Sequence, residues 1–564
     1  MTDERSNIYI NPDEKANLLN TCFSKVFIID DELTPPAYQP NVSIKEMPQF
    51  QITPIMVEGA IKHLKNSVSQ TPDDIPSIFL KRTSNQLAEP LAKIFNITIN
   101  QGKIPEVWIR AIVVPVYKKG LKSNPLNYRP ISLTSVICRS LEHIILKKIT
   151  IHLITNNLTS PTQHGFLKHR STLTQQLQLL DKLTLNYDNK ITTDIIYLDF
   201  QKAFDTVSHN KLIHILTSIK INNSLIKWIQ DYLHGRSQQT KVDNHLSKPC
   251  KITSGVPQGS VLGPKLFSIF LNSLLCDLDR QNGISAFAFA DDLKILSTNP
   301  QHLQSSLDRI ANWSTIWKLN INPTKSEHIQ FCTPKHSNLN SFYIQNQKIN
   351  SIETVRDLGV YLNKDLKWST QVSKVYTKST SIAFTIIRTF NNQNPQIYTQ
   401  LFKTYVRSII EYNSSIWNLN LIKDIRKIES IQIQFTQKLC QKLNIKYSSY
   451  NHRLKILNLE TLEIRRLKYD LKLVYKIHNN LINLNINEFF TQSTLDNSYN
   501  LRRHDKYLKL PDLCKTTIRR SFFSLRIVKI WNKLPQYVIR SKSLPIFKEN
   551  LDSLELADFA ELVY

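Results

Sequence analysis

The run AFAFA (286–290), Asp291-Asp292, LKIL (293–296) constrains this chain more than any other segment. Two short apolar strands about a tight acidic turn predict a β-hairpin with a buried body and two carboxylates at its tip. A second run, Ile195–Asp199, is apolar and β-branched, reads as a buried strand, and also ends in a carboxylate. Read alone, an Asp-Asp pair is equally an ordinary solvated turn. If the strand and the hairpin are neighbours in one sheet, Asp199, Asp291 and Asp292 converge. Three ionised carboxylates cannot share a small volume without cations to neutralise them. Mg²⁺ suits such hard oxygen ligands and shares its coordination with phosphates. Two such ions roughly 4 Å apart serve phosphoryl transfer, one at the attacking oxygen and one at the leaving oxygen.

Glycine usage points to a second element of the same site. The 564 residues include 10 glycines, where about 7% is usual. So sparing a chain should keep glycine where the backbone needs a positive φ or a close approach. Three of them, Gly255, Gly259 and Gly263, fall within nine residues.

Charge suggests the partner. Residues 1–110 carry 11 basic and 13 acidic residues, residues 111–370 carry 30 and 17, and residues 371–564 carry 31 and 15. A near-neutral head and a strongly basic body fit a nucleic-acid partner, although a merely solvated basic surface gives the same count. The seven cysteines are scattered and odd in number, which argues against a disulfide scaffold or a Cys-based zinc module. No apolar run approaches the ~18–20 residues of a membrane span, and the N-terminus lacks a signal-peptide pattern. The expectation is an intracellular protein, nuclear or cytoplasmic, with no membrane partner.

Along the chain, helices are expected near Glu14–Phe27, over 54–99 with breaks at Pro72, Pro76 and Pro90, and over Val136–Thr150, Leu173–Leu185, Lys211–Leu216, Ser224–Leu233, Val261–Leu278 and Leu303–Trp317. Trp108–Tyr117 and Arg129–Leu133 read as extended. Beyond residue 370 the pattern is mostly helical with basic faces, and 486–511 reads as loop.

Several motifs fall in a telling order. LDFQKAFD (198–205), SGVPQGSVLGP (254–264) and FADD (289–292) resemble the palm motifs of reverse transcriptases. NYRPISL (127–133) and QHGFLKHRST (163–172) resemble their fingers segments, and LNINPTKSE (319–327) and VRDLGVYL (355–362) the motifs that follow. The set is similar to the enzymes of non-LTR retrotransposons, nearest to the jockey lineage. It covers about residues 98–365, with a weaker likeness in SFFSLRIVKIWNKLP (521–535).

The resemblance implies an α+β right-hand polymerase. Its parts would be an N-terminal linker (1–97), fingers and palm (98–365), a helical thumb (366–445) and a basic helical C-terminal region (446–564). It implies an RNA-directed DNA polymerase that takes an RNA template, a DNA primer or target and dNTPs, with two Mg²⁺ ions, or Mn²⁺ in their place. Asp199 and Asp291 would bridge the metals, with Asp292 in support and the Phe200 carbonyl facing them. Phe204 would be the sugar gate that excludes a 2′-hydroxyl. Gln258 and Gly259 would lie against the incoming nucleotide. Arg129, with Lys118 or Lys119, would clamp the triphosphate, and Lys325 would act as general acid. Gly165, Arg170 and Ser171 would follow the template, and Leu358 and Gly359 would grip the primer end. Plain turn, packing or surface roles stay open for these, and Asp205 is expected to be structural, bonding nearby backbone. Lys294 is unexpected beside metal-binding acids and is expected to point away from them.

In the C-terminal third, Arg388, Lys403, Arg407, Arg465, Arg466, Arg519, Arg520 and Arg526 are candidate phosphate contacts or plain surface residues. Phe522, Phe523 and Trp531 are candidate stacking platforms or core. Jockey-like elements also encode an endonuclease, for which this chain has no evident segment, so a truncated reading frame is expected. The competing reading is a decayed or domesticated RNA-binding protein without synthesis.

Overall fold

The computed structural model describes residues 1–3, 6–30, 35, 43–68, 71–332, 340–417, 419, 421–492, 504, 506–509 and 514–556. Its centre is a five-stranded sheet. Thr193–Leu198 lies in the middle, antiparallel to Asp292–Ser297 on one side and to Glu327–Phe331 on the other. Ser285–Phe289 extends the sheet beyond Asp292–Ser297, and Asn350–Ser351 adds a short parallel edge to Glu327–Phe331.

Alternation along these strands explains why they read as continuous apolar runs. Ile196, Leu198, Ala286, Ala288, Leu293 and Ile295 enter one core, which also takes residues of the helices Val136–Thr155, Gly263–Asp279 and Pro300–Trp317. Ile195, Phe287, Leu296 and Ile329 face a second core with the helix Thr172–Asp188 and the C-terminal helices. A sheet covered on both faces has no solvent side to keep polar.

A smaller sheet stands beside it. Arg110–Tyr117 pairs antiparallel with Tyr128–Leu133 and parallel with Ser237–Val242. The last of these strands, with its partner Cys250–Lys251, escapes the sequence reading. SQQTKV has no apolar alternation, and pairing partners rather than hydrophobicity place it.

Helix boundaries otherwise fall near their expected places, with one clear departure. Pro90 does not break its helix but sits inside Ser84–Gln101. A proline in a helix interior costs about 3 kcal/mol. Here Leu91, Ala92, Phe95 and Ile99 bury one face of that helix in the core, which offsets the loss. Within 486–511, a short helix, Ile486–Phe489, appears where loop was expected; most of the remainder lies outside the described residues.

The C-terminal half is helical, led by Ser369–Thr389, Ile422–Lys442 and Leu462–His478. Four of the expected phosphate contacts are used internally. Arg465 pairs with Glu411. Arg466 lies 4.1 Å from the Trp417 ring centre and donates to the Trp417 carbonyl. Arg519 pairs with Asp181 at 2.8 Å and Arg526 with Asp470 at 2.7 Å. Arg407 sits 3.4 Å from Glu411 and Lys403 is half-buried, which leaves Arg388 and Arg520 exposed. Phe522, Phe523 and Trp531 are core. Amphipathic spacing cannot separate an arginine that snorkels to solvent from one that meets a carboxylate on a neighbouring element.

A buried acid in this half gives a pH test. Glu429, on the helix Ile422–Lys442, accepts from the Tyr450 hydroxyl and the Leu462 amide. Burial raises its pKa to about 7, against the lowering pull of those bonds. A carboxyl raised on folding binds more protons in the native state, so its share of stability falls as pH rises from about 4.5 through about 7. Glu429→Gln is expected to flatten that part of the profile. Melting curves of wild type and variant between pH 5 and 8 should therefore diverge upward in pH, with the variant the more stable at pH 8. Parallel curves would show that Glu429 does not titrate in this range.

Candidate active site

The sheet register brings the sequence-predicted acids together. Leu198 pairs with Leu293, so Asp199, one residue past its strand, leaves the sheet at the same end as the Asp291-Asp292 tip. The tip is a two-residue turn closed by Phe289 and Asp292. Ala290 takes φ +58° there, the left-handed region that a residue with a Cβ disfavours. Burial and the neighbouring Asp199 charge raise the Asp291 pKa, against the pull of Arg129 and Lys118. Asp292 is raised to about 6 by burial, Asp291, Asp357 and Asp199, against Lys294. Asp291 and Asp292 thus both feel the Asp199 charge.

Among the described residues no group of three or more His, Cys, Asp or Glu side chains is arranged to hold a metal ion by itself. Mg²⁺ seldom needs one, because it is commonly held by one or two carboxylates with substrate phosphates and water completing the shell. The donor set, oxygen only and mutually repelling, fits a hard divalent cation.

Facing the acids is a basic rim. Burial and the charges of Arg129, Lys119, Lys202 and Lys325 push down the Lys118 pKa. Lys118 and Arg129 stand on the hairpin of the smaller sheet, where Val116 pairs with Arg129 and the Lys118 amide bonds Asn127. Lys325 is exposed, 4.0 Å from Asp199. Its loop runs beside the strand end: the Asn322 amide donates to the Asp199 carbonyl, and the Gln201 amide to that of Asn320. Lys202 was not anticipated as a member of this rim. A lone lysine in LDFQKAFD carries no signal until the hairpin from residue 118 is folded over it.

The glycine cluster packs closely on neighbouring backbone. At Gly259, φ is +117° and a Cβ would lie 2.3 Å from the Ser132 carbonyl oxygen. At Gly255, φ is +88° and a Cβ would strike the Asp205 backbone at 2.7 Å. The Gln258 amide donates to the Asp205 carboxylate at 2.9 Å. Asp205 is therefore structural through a side chain rather than through backbone, and it orients Gln258. Burial lifts its pKa to about 6. Phe204 stacks on Phe267 at 4.5 Å and meets Phe166 edge-on. The Phe200 ring is buried against Trp313.

The remaining predicted residues have visible structural employment. Gly165 packs on the acidic turn, where a Cβ would lie 2.2 Å from the Ala290 nitrogen. Arg170 turns inward to the carbonyls of Pro161 and Gln163. Ser171 caps the helix Thr172–Asp188 in a reciprocal box with Thr174. Leu358 and Gly359 form the turn of the hairpin Thr354–Asp357/Val360–Asn363, both at positive φ. The Tyr412 hydroxyl donates to the Leu358 carbonyl at 2.9 Å.

Lys294 overturns its expectation. Two residues along the strand from Asp292, it shares that residue's face rather than pointing away, and it is buried. It pairs with Asp357 at 2.5 Å. Along Asp292–Ser297 the alternation rule puts Lys294 on the same side as Asp292.

Residues 116–371 match the family described as reverse transcriptase (RNA-dependent DNA polymerase). This segment belongs to the reverse transcriptase family. The probable RNA-directed DNA polymerase from transposon X-element of Drosophila melanogaster is 26% identical over 402 residues, 69% of this chain and 44% of the relative. That from transposon BS of the same fly is 30% identical over 334 residues, 56% of this chain and 37% of the relative. The RNA-directed DNA polymerase from mobile element jockey is 22% identical over 432 residues, 72% of this chain and 47% of the relative. The chain spans less than half the length of these relatives. A telomerase from Candida tropicalis superposes over 67% of this chain and 65% of that chain, at 11% identity and a TM-score of 0.35. Among the described residues no helix is long and apolar enough to cross a membrane.

Proposed function

We propose that this chain is an RNA-directed DNA polymerase that extends a DNA 3′-hydroxyl on an RNA template with dNTPs, in the service of retrotransposition. The observation that carries the proposal is the apposition of three carboxylates to a rim of Lys118, Arg129, Lys202 and Lys325. A surface that gathers cations opposite cation-binding acids is complementary to a metal-bound triphosphate.

In this reading Asp199, Asp291 and Asp292 hold the divalent ions, Mg²⁺ or Mn²⁺. When bound, these would supply an activated 3′-oxygen and charge neutralisation at the leaving pyrophosphate. Arg129 and Lys118 orient the triphosphate from the fingers, Arg129 by its bidentate fork. Lys325, beside Asp199, donates a proton to the departing pyrophosphate. Gln258, aimed by Asp205, and Gly259 line the nucleotide's other side. The backbone around Gly165, Arg170 and Ser171 follows the template, and the Leu358-Gly359 turn supports the primer end.

The test is dNTP incorporation on a primed homopolymer RNA with Mg²⁺. Primer extension supports the proposal. Soluble protein that binds RNA in a salt-dependent way, but never extends the primer, would replace it with a binding-only role.

Phe204 supplies the sugar test. In this reading its ring, stacked on Phe267, closes the space below the sugar C2′. Phe204→Val should raise ribonucleotide incorporation relative to deoxynucleotide by about 10-fold or more, the scale of discrimination from a lost steric contact. Unchanged sugar selectivity at retained activity would reassign the ring to packing alone.

A further inference from the structure

One polar side chain close to the acidic turn belongs to none of the roles above. Gln163 is 1% exposed. Its Oε1 accepts from the Gly165 amide at 2.6 Å and from the Ala290 amide at 3.1 Å. Its Nε2 lies 3.4 Å from the Ala290 carbonyl oxygen. One side-chain amide thus serves both backbone groups of the residue before Asp291.

Those groups need such a partner. In a two-residue turn closed by Phe289 and Asp292, the Ala290 N–H and C=O are not part of the ladder. Buried without partners, they would be costly. Ala290 also sits at φ +58°, a conformation that persists only where the surroundings over-determine it.

The segment that delivers Gln163 is itself fixed. The His164 amide donates to the Ala288 carbonyl at 2.7 Å, and the Ala288 amide to that of Thr162 at 3.0 Å. Arg170 holds the Gln163 carbonyl at 2.6 Å. At Gly165 a Cβ would strike the Ala290 nitrogen, so only glycine lets the segment lie this close.

We propose that Gln163 is a positioning residue for the catalytic carboxylates, holding the Ala290 peptide so that Asp291 and Asp292 keep the spacing that metal-assisted transfer needs. The inference rests on the polymerase reading. It adds that the segment 162–165 acts on the acids from behind, through Gln163, as well as lying along the template path. Without the amide, the Ala290 peptide is free to leave its left-handed conformation and carry Asp291 with it.

The experiment is single-turnover dNTP incorporation on pre-bound template–primer, with Mg²⁺ titrated, for wild type, Gln163→Met, Gln163→Glu and Gln163→Asn. Methionine removes the acceptor. Glutamate keeps it for both N–H groups. Asparagine keeps the polar group but withdraws it by one methylene. The Met and Asn variants should slow the transfer step about 10- to 100-fold, the scale of a small misplacement of reacting groups. Their burst amplitude, dNTP half-saturation and template–primer affinity should stay near wild type, and the Mg²⁺ requirement should rise. Glutamate, which keeps the acceptor but loses the donor facing the Ala290 carbonyl and adds a buried charge, should recover only part of the rate.

A Gln163→Met or Gln163→Asn rate within about twofold of wild type would overturn the inference. So would a loss confined to burst amplitude, which marks misfolded protein rather than slowed chemistry. An active wild type with unaffected variants sinks this inference alone. A wild type that binds RNA without extending the primer sinks the polymerase reading, and the inference with it.

Discussion

Replacing Asp291 and Asp292 together with alanine is expected to abolish dNTP incorporation while leaving a folded, RNA-binding protein. The loss should exceed about 10³-fold, the scale set by removal of a principal charge-stabilising group in phosphoryl transfer. Stability should move the other way. Both acids carry raised pKa values, from burial and from neighbouring carboxylates, so each is held ionised at a cost that only a cation or a polyanion-bound metal offsets. Removing the pair relieves that repulsion, and the metal-free melting temperature should hold or rise. RNA affinity should hold or tighten, because the Lys118–Arg129 rim then faces less opposing charge. Primer extension, thermal melts and RNA binding at fixed salt, run on one preparation, separate these outcomes. Activity within tenfold of wild type would remove the acids from the chemistry. Lost activity with collapsed stability would make the turn a folding element instead.

The parts of the site legible in the sequence are those where chemistry and local pattern coincide. An apolar strand that ends in aspartate and an apolar hairpin tipped by two aspartates advertise themselves, because burial and charge conflict within a few residues. Gly255 and Gly259 were legible because glycine is so scarce that its clustering carries information, and each does meet backbone at a distance no Cβ tolerates.

Residues whose role depends on a partner far along the chain were not legible. Gln163 is polar in a loop-like motif, and only the folded hairpin, 127 positions later, makes it a partner of Ala290. Lys202 joins the rim only once the hairpin of Arg110–Tyr117 and Tyr128–Leu133 is in place. The arginines at 465, 466, 519 and 526 share the periodicity of surface residues but meet carboxylates or carbonyls across helix contacts. The strand Ser237–Val242 lacks alternation and is defined by its neighbours. One-dimensional pattern reports burial and backbone demand; it does not report which distant group a polar side chain meets.

The Lys294–Asp357 pair turns that lesson into a stability measurement. Both side chains are under 5% exposed and 2.5 Å apart. Burial pulls the lysine pKa down while Asp357 holds it up. The pair ties the strand that carries Asp292 to the hairpin whose turn is Leu358-Gly359. The Gln176 side chain adds a bond to the Asp357 carbonyl, and Tyr412 covers the turn. Lys294→Met alone strands a buried carboxylate, and Asp357→Leu alone strands a buried ammonium. Each should cost about 3–5 kcal/mol, the usual penalty for breaking a buried pair from one side. The double variant removes both charges and should return to within about 1–2 kcal/mol of wild type, since well-packed apolar replacements of buried pairs are commonly near neutral. Urea unfolding of the four proteins closes this double-mutant cycle. Single losses below about 1 kcal/mol would mean that water reaches the pair. Recovered stability in the double variant without recovered primer extension would assign the ion pair to register between the two hairpins rather than to folding. An apolar contact can slide along a strand, whereas a buried charge pair has one position at which both partners are satisfied.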